Sequence, residues 1–223
     1  MFLKKITWPV LFCCATFPFI LEGCRQQADT KRTTVQVDSL PATDKNPYVT
    51  YDQSPMDMSY YPINYPLLKM NKQDSTSLVA RVIYSRPHKK NRTIFSHSSM
   101  SLCQYGKEWR LGANEATEID FFRNVIIGGK TVSKGTYVIY CIPEPDKWTI
   151  VLNSNLYTWG LHTDTSKDVM RTEVPVQRQS PALEDFTMVF MDEPGGAGLL
   201  MAWDNVKTVL PINFSKKSIA NSQ

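Results

Sequence analysis

The chain has 223 residues, 42% of them hydrophobic and 21% charged, with a formal net charge of +4. Those values are ordinary for a globular protein and leave room for one domain with a real core. The mild charge excludes the dense basic surface of a nucleic-acid binder, and no internal repeat of solenoid period is visible.

Residues 1–23 read as a signal peptide. Lys4 and Lys5 make a basic start, and residues 6–21 are apolar apart from Thr7 and Thr16. The run is short for a membrane span and suits a cleaved leader. It ends in Leu21-Glu22-Gly23-Cys24. A small residue before cysteine resembles the lipobox of bacterial lipoproteins, in which Cys24 carries the lipid; Glu22 fits that pattern poorly. The alternatives are an uncleaved anchor helix and cleavage without lipid. The expected location is the bacterial cell envelope, lipid-anchored to a membrane and facing the periplasm or exterior. Residues 24–53 are polar and read as a flexible tether. Residues 54–214 read as one β-rich domain, and residues 215–223 as a frayed polar tail.

Within the domain, residues 54–70 are rich in Met, Tyr and Pro. Pro62 and Pro66 argue against a helix. The stretch predicts an edge strand followed by an extended arm, with an aromatic platform for sugars as the competing reading. Residues 78–85 (L-V-A-R-V-I-Y-S) predict a half-buried strand. Residues 116–127 predict one or two strands, and Gly128-Gly129-Lys130 a turn. Residues 135–142 and 148–152 predict a hairpin. Strands follow at 171–176, 186–191, 197–203 and 206–212, separated by turns at Gly195-Gly196 and Asp204-Asn205. A short turn near 165–169 is the best helical candidate. The pattern predicts an all-β fold, an antiparallel β-sandwich or partly closed barrel of about nine to eleven short strands with very little helix.

Cys103 and Cys141 lie in apolar surroundings and are expected to be unpaired, buried thiols; a disulfide is the alternative outside the cytoplasm. His88, His97 and His162 form no short ligand motif. A metal site from His88, His97 and Glu115 lacks typical ligand spacing, so no metal is expected. No nucleophile elbow, phosphate-binding loop or dinucleotide fingerprint occurs, so no cofactor is indicated.

Charge, aromatics and glycine are densest in residues 84–122. Arg86, His88, Arg92, Tyr105, Trp109, Arg110, Asn114 and Glu115, with Glu118 nearby, are the candidate site. They read in two ways. One is a structural network of ion pairs and hydrogen bonds that fixes loops. The other is a pocket for an anionic or sugar-like ligand, with arginine forks for charge and Trp109 and Tyr105 as stacking faces. Arg86, at the end of the strand 78–85, and residues 109–118 flank the connection 87–108, so residues 109–118 are expected to return beside Arg86.

The same stretch carries a family resemblance. Ser85-Arg86-Pro87, Arg92, Ile94-Phe95, Tyr105-Gly106, Trp109-Arg110 and Gly112-Ala113-Asn114-Glu115-Ala116-Thr117 resemble the signature of the bacterial domain of unknown function 2911 family. Gly128-Gly129-Lys130, Gly135-Thr136-Tyr137, Ile142-Pro143, Trp148-Thr149, Trp159-Gly160, Asp168-Val169 and Trp203 extend the likeness, which spans residues 54–212. Asn91 and Ser96 stand where glycine is usual, and Gln104 where proline is usual. The resemblance implies a secreted or envelope protein and no established activity. The functional reading is therefore a non-catalytic binding or structural module, whose partner is a glycan, a peptide or another envelope protein rather than nucleic acid. The alternative is a hydrolase-like enzyme acting on an anionic or glycan substrate, with Glu115 or His88 as acid/base.

Overall fold

A computed structural model describes residues 52–72 and 77–214. The signal peptide, Cys24, all but the last two residues of the tether, and the tail lie outside the described residues. Alternation of apolar and polar side chains builds the sheets. In strand β2 (Ala80–Ser85), Ala80, Val82 and Tyr84 are buried while Arg81 and Ile83 reach the surface. Strand β9 (Lys147–Asn153) is buried almost throughout, as suits a strand covered on both faces.

The first large sheet joins β1 (Met56–Tyr61), β2, β5 (Glu118–Phe121), β8 (Gly135–Pro143), β9 and β10 (Asp168–Pro175), in the order β1-β2-β5-β8-β9-β10. The second joins β6 (Val125–Ile127), β7 (Lys130–Val132), β11 (Gln177–Glu193) and β12 (Gly196–Phe214), in the order β11-β12-β6-β7. Neighbouring strands in both are antiparallel. Strands β3 (Phe95–Ser96) and β4 (Cys103–Gln104) form a small parallel pair. Val82, Ile119, Ile139 and Ile150 of the first sheet share one core with Phe186, Met188, Leu199 and Ile212 of the second. The fold is an all-β sandwich; among the described residues no barrel closes.

The predicted hairpin is β8–β9, in register from Val138↔Asn153 to Pro143↔Trp148. Gly128 and Gly129 make the two-residue turn between β6 and β7, with φ of 56° and 76°. Two consecutive positive φ values are what a tight hairpin turn matched to strand twist requires. The edge strand expected near residue 56 is β1. The extended arm after it is corrected to a short helix, α1 (Tyr65–Met70). Pro66 lies in the first turn, where its missing N–H breaks no intrahelical bond.

The strands expected at 197–203 and 206–212 are a single strand, β12. Asp204 sits there at φ 53° as an irregularity within the strand, its carboxylate held by Lys89 Nζ at 2.6 Å. Strand β11 starts well before residue 186, because its first half is polar and mostly exposed and so shows no hydrophobic alternation.

Cys103 and Cys141 are buried and free. Burial pushes both thiols up, and burial plus the Asp168 carboxylate does the same to the Tyr140 phenol. These groups stay neutral in the fold and lose protons more easily when unfolded. Their contribution to stability is full below the unfolded thiol range of about 8.5 and is lost as pH rises through and above it. The urea midpoint of the chain from residue 54 onward should fall steadily between pH 8 and pH 10.5. Native protein should resist a thiol reagent, and unfolding without reductant should expose both thiols. A flat profile, or thiols that never titrate, would contradict this assignment.

Candidate functional site

Strand β2 delivers Tyr84, Ser85 and Arg86 to one end of the sandwich. The Tyr84 ring is buried edge-on against Phe186, with centroids 5.6 Å apart. Its hydroxyl donates to Asp57 Oδ2 at 3.1 Å, and Arg86 forms an ion pair with the same carboxylate. Arg86 also donates to the Tyr84 oxygen at 3.3 Å. Asp57 faces Tyr84 because β1 and β2 place Asp57↔Tyr84 in register.

His88 pairs with Asp185, and the two backbones form an isolated bridge. Arg92 folds back on the turn before it, donating to the carbonyls of Lys89 and His88. Asn91 adopts φ 59°, a conformation asparagine tolerates better than most residues.

Trp109 is 9% exposed and lies in an aromatic cluster. It meets Phe186 at 4.8 Å, Phe95, Trp148 and Trp203 each at 5.8 Å, the last nearly parallel. Tyr105 packs against His97, with centroids 5.1 Å apart.

The segment after Trp109 does return beside the end of β2. Ala113 N donates to Ser85 O at 3.3 Å, and Thr117 Oγ1 closes the loop on Leu111 O at 2.7 Å. A Cβ on Gly112 would lie 2.9 Å from Ser85 O, so only glycine allows the approach without a shift. Asn114 donates to Asp52. Arg110 turns away from this loop. It donates to the Trp159 carbonyl at 2.8 Å, and its guanidinium carbon lies 5.9 Å from the Trp159 ring centroid. Partial burial holds its pKa below the ordinary guanidinium value, with Glu115 as the opposing charge.

The candidate residues thus fall into separate clusters: Arg86 with Asp57, His88 with Asp185, and Arg110 with Trp159. Among the described residues no ion pair within 4.0 Å joins Glu115 to Arg86, Arg92 or Arg110. Glu115 is exposed. With Glu118 it lines an open groove of about 520 Å³, whose other walls include Met56, Tyr84, Tyr157 and Trp159. Tyr157 is 90% and Trp159 54% exposed.

Sequence reasoning missed the loop that carries those two rings, residues 154–164. An aromatic-glycine pair inside a stretch without apolar alternation was its only signal. The loop is pinned at its middle and at its C-terminal end. Ala116 N donates to Thr158 O at 3.0 Å, and Asn153 Nδ2 donates to Asp164 O at 2.9 Å and to Asp168 Oδ1 at 2.8 Å. Asp168 also accepts from Tyr140 at 3.0 Å and from Arg171 at 2.6 and 2.9 Å. Gly160, at φ 72°, presses against Arg110 and Ala116, where a Cβ would come to 3.0 and 3.1 Å.

A family profile described as "Protein of unknown function (DUF2911)" matches residues 68–212. The chain belongs to the DUF2911 family. The DUF2911 span begins in α1 and ends in β12, so it takes in Glu115, Glu118, Tyr157 and Trp159 and leaves out Met56 and Asp57 of β1. No curated protein and no solved structure matches the chain.

Proposed function

We propose that this DUF2911 protein is a lipid-anchored protein of the bacterial cell envelope, facing the periplasm or exterior, whose sandwich presents a non-catalytic glycan-binding groove. The anchor is supported by the basic, apolar leader ending in Gly23-Cys24. One observation carries the groove. Two solvent-facing aromatic rings, Tyr157 and Trp159, stand beside two carboxylates, Glu115 and Glu118, that no cation neutralises by direct contact among the described residues. Aromatic faces pack the apolar faces of sugar rings, and ionised carboxylates accept hydrogen bonds from sugar hydroxyls. The same carboxylates disfavour an acidic ligand. Of the three arginines of the predicted site, Arg86 is paired with Asp57, while Arg92 and Arg110 bond backbone carbonyls; none of the three pairs with Glu115 or Glu118.

The groove test is a titration of neutral and amino-sugar oligosaccharides followed by tryptophan fluorescence. Binding should be lost in Trp159→Ala and Glu118→Gln while the urea midpoint stays put. If no sugar binds, or if both variants bind as the parent does, the glycan reading fails. The hydrolase alternative, with Glu115 or His88 as acid/base, rests on Glu115, which lines the groove, whereas His88 is paired with Asp185. It requires new reducing ends to accumulate with time and to vanish in Glu115→Gln. The anchor is tested by Cys24→Ser. That substitution should move the protein from the membrane to the soluble fraction, and unchanged membrane association would refute lipidation.

A further inference from the structure

The residues that follow Trp159 line a second pocket, of about 280 Å³. Its chemistry is opposite to that of the groove. Two arginines, Arg92 and Arg110, line it, together with Leu102, Leu161 and Trp109. Leu102 is 43% and Leu161 64% exposed.

Both arginines are held in place by backbone carbonyls rather than by carboxylates. Arg92 spends Nε and one terminal nitrogen on Lys89 O and His88 O, which leaves Nη1. Arg110 spends Nη1 on Trp159 O, which leaves Nε and Nη2. Neither has a carboxylate within 4.0 Å among the described residues. Glu108 also lines the pocket, but it forms no ion pair within 4.0 Å with either arginine, and Glu115 is the charge that acts on Arg110. Carbonyls orient a guanidinium without neutralising it, and its remaining N–H groups are a fork for an oxyanion.

We propose that this pocket binds a small amphipathic anion, its carboxylate or phosphate group between Arg92 and Arg110 and its apolar body against Leu102, Leu161 and Trp109. The partial burial of Arg110 supports this, since a second anion beside it relieves a cation that Glu115 offsets only at a distance.

The test uses the full-length chain in neutral detergent and three probes by calorimetry: benzoate, phenyl phosphate and inorganic phosphate. Benzoate or phenyl phosphate should bind more tightly than inorganic phosphate, and raising the salt concentration should weaken both. The better of the two identifies the head group. Arg92→Gln, which removes one charge-assisted contact, should weaken binding about tenfold or more, which corresponds to about 1.4 kcal/mol or more. Leu161→Asp, on an exposed side chain, should abolish it without unfolding the chain. Neither variant touches Glu115, Glu118 or Trp159, so glycan binding in the groove is a separate readout. The proposal is overturned if no probe binds at millimolar concentration, if inorganic phosphate binds as well as phenyl phosphate and better than benzoate, or if a folded Leu161→Asp protein binds the probes unchanged.

Discussion

Trp109→Ala is expected to lower stability by about 3–5 kcal/mol, the usual loss for a core tryptophan. The ring is the hub of the aromatic cluster, touching Phe95, Trp148, Phe186 and Trp203. Removing it leaves a cavity that four large rigid rings cannot collapse to fill. The backbone on either side stays fixed, because Trp109 and Cys141 exchange hydrogen bonds of 2.8 and 2.9 Å. The loss therefore reports the side chain rather than a detached strand. Urea unfolding of the chain from residue 54 onward measures it, and Trp109→Phe should cost less because it keeps part of the ring contact. A loss below about 0.5 kcal/mol, the usual range for surface substitutions, would return Trp109 to the role of an exposed stacking face.

Asp168→Ala is expected to cost about 2–3 kcal/mol, between the values for exposed and buried pairs. Its side chain is 10% exposed, whereas that of its partner Arg171 is 44% exposed, so solvent screens the cation and not the anion. The substitution strands the Tyr140 hydroxyl and the Asn153 amide as well as Arg171. Asn153 is 1% exposed and has Asp164 O as its other partner, so the loss spreads into the loop 154–164. Amide exchange in that loop should quicken, and sugar binding should weaken because Trp159 is no longer held. Tyr140→Phe should cost only about 1 kcal/mol, since Asp168 keeps its bonds to Arg171 and Asn153. A double-mutant cycle between Asp168→Ala and Arg171→Ala should show clear coupling. Additive effects, with an unchanged loop, would mean that the network does not hold the groove.

Much of the architecture is legible in the residues. Alternation in β2 and the β8–β9 pair marks strands, and Gly128-Gly129 marks a turn, because both signals are local. Two features hid. Pro66 reads as a helix breaker until it is seen to occupy a first turn. The polar start of β11 has no core to face and so no alternation to show. The site was legible only in part for a different reason. The segment after Trp109 does return beside the end of β2, but the partners that define the chemistry of the candidate residues come from far along the chain. Asp57 reaches Tyr84 and Arg86 through strand register, Asp185 reaches His88 across the sandwich, and Trp159 meets Arg110 from a distant loop. Register and loop placement are properties of topology, which a residue pattern does not encode.

The sides of the sandwich bear on how the protein behaves when crowded. An unpaired strand edge recruits other chains and seeds aggregates. Strand β1, at one edge of its sheet, leans on β11, at the edge of the other. Ser59 Oγ accepts from Phe190 N at 3.0 Å, and the Tyr61 hydroxyl bonds Asp192 at 3.0 Å and Gly196 O at 3.1 Å. At the opposite side the β6–β7 turn closes on β10, with the Cβ position of Gly128 only 2.6 Å from Thr172 Oγ1. Each sheet therefore covers an edge of the other, and intermolecular strand addition must first pry these contacts apart.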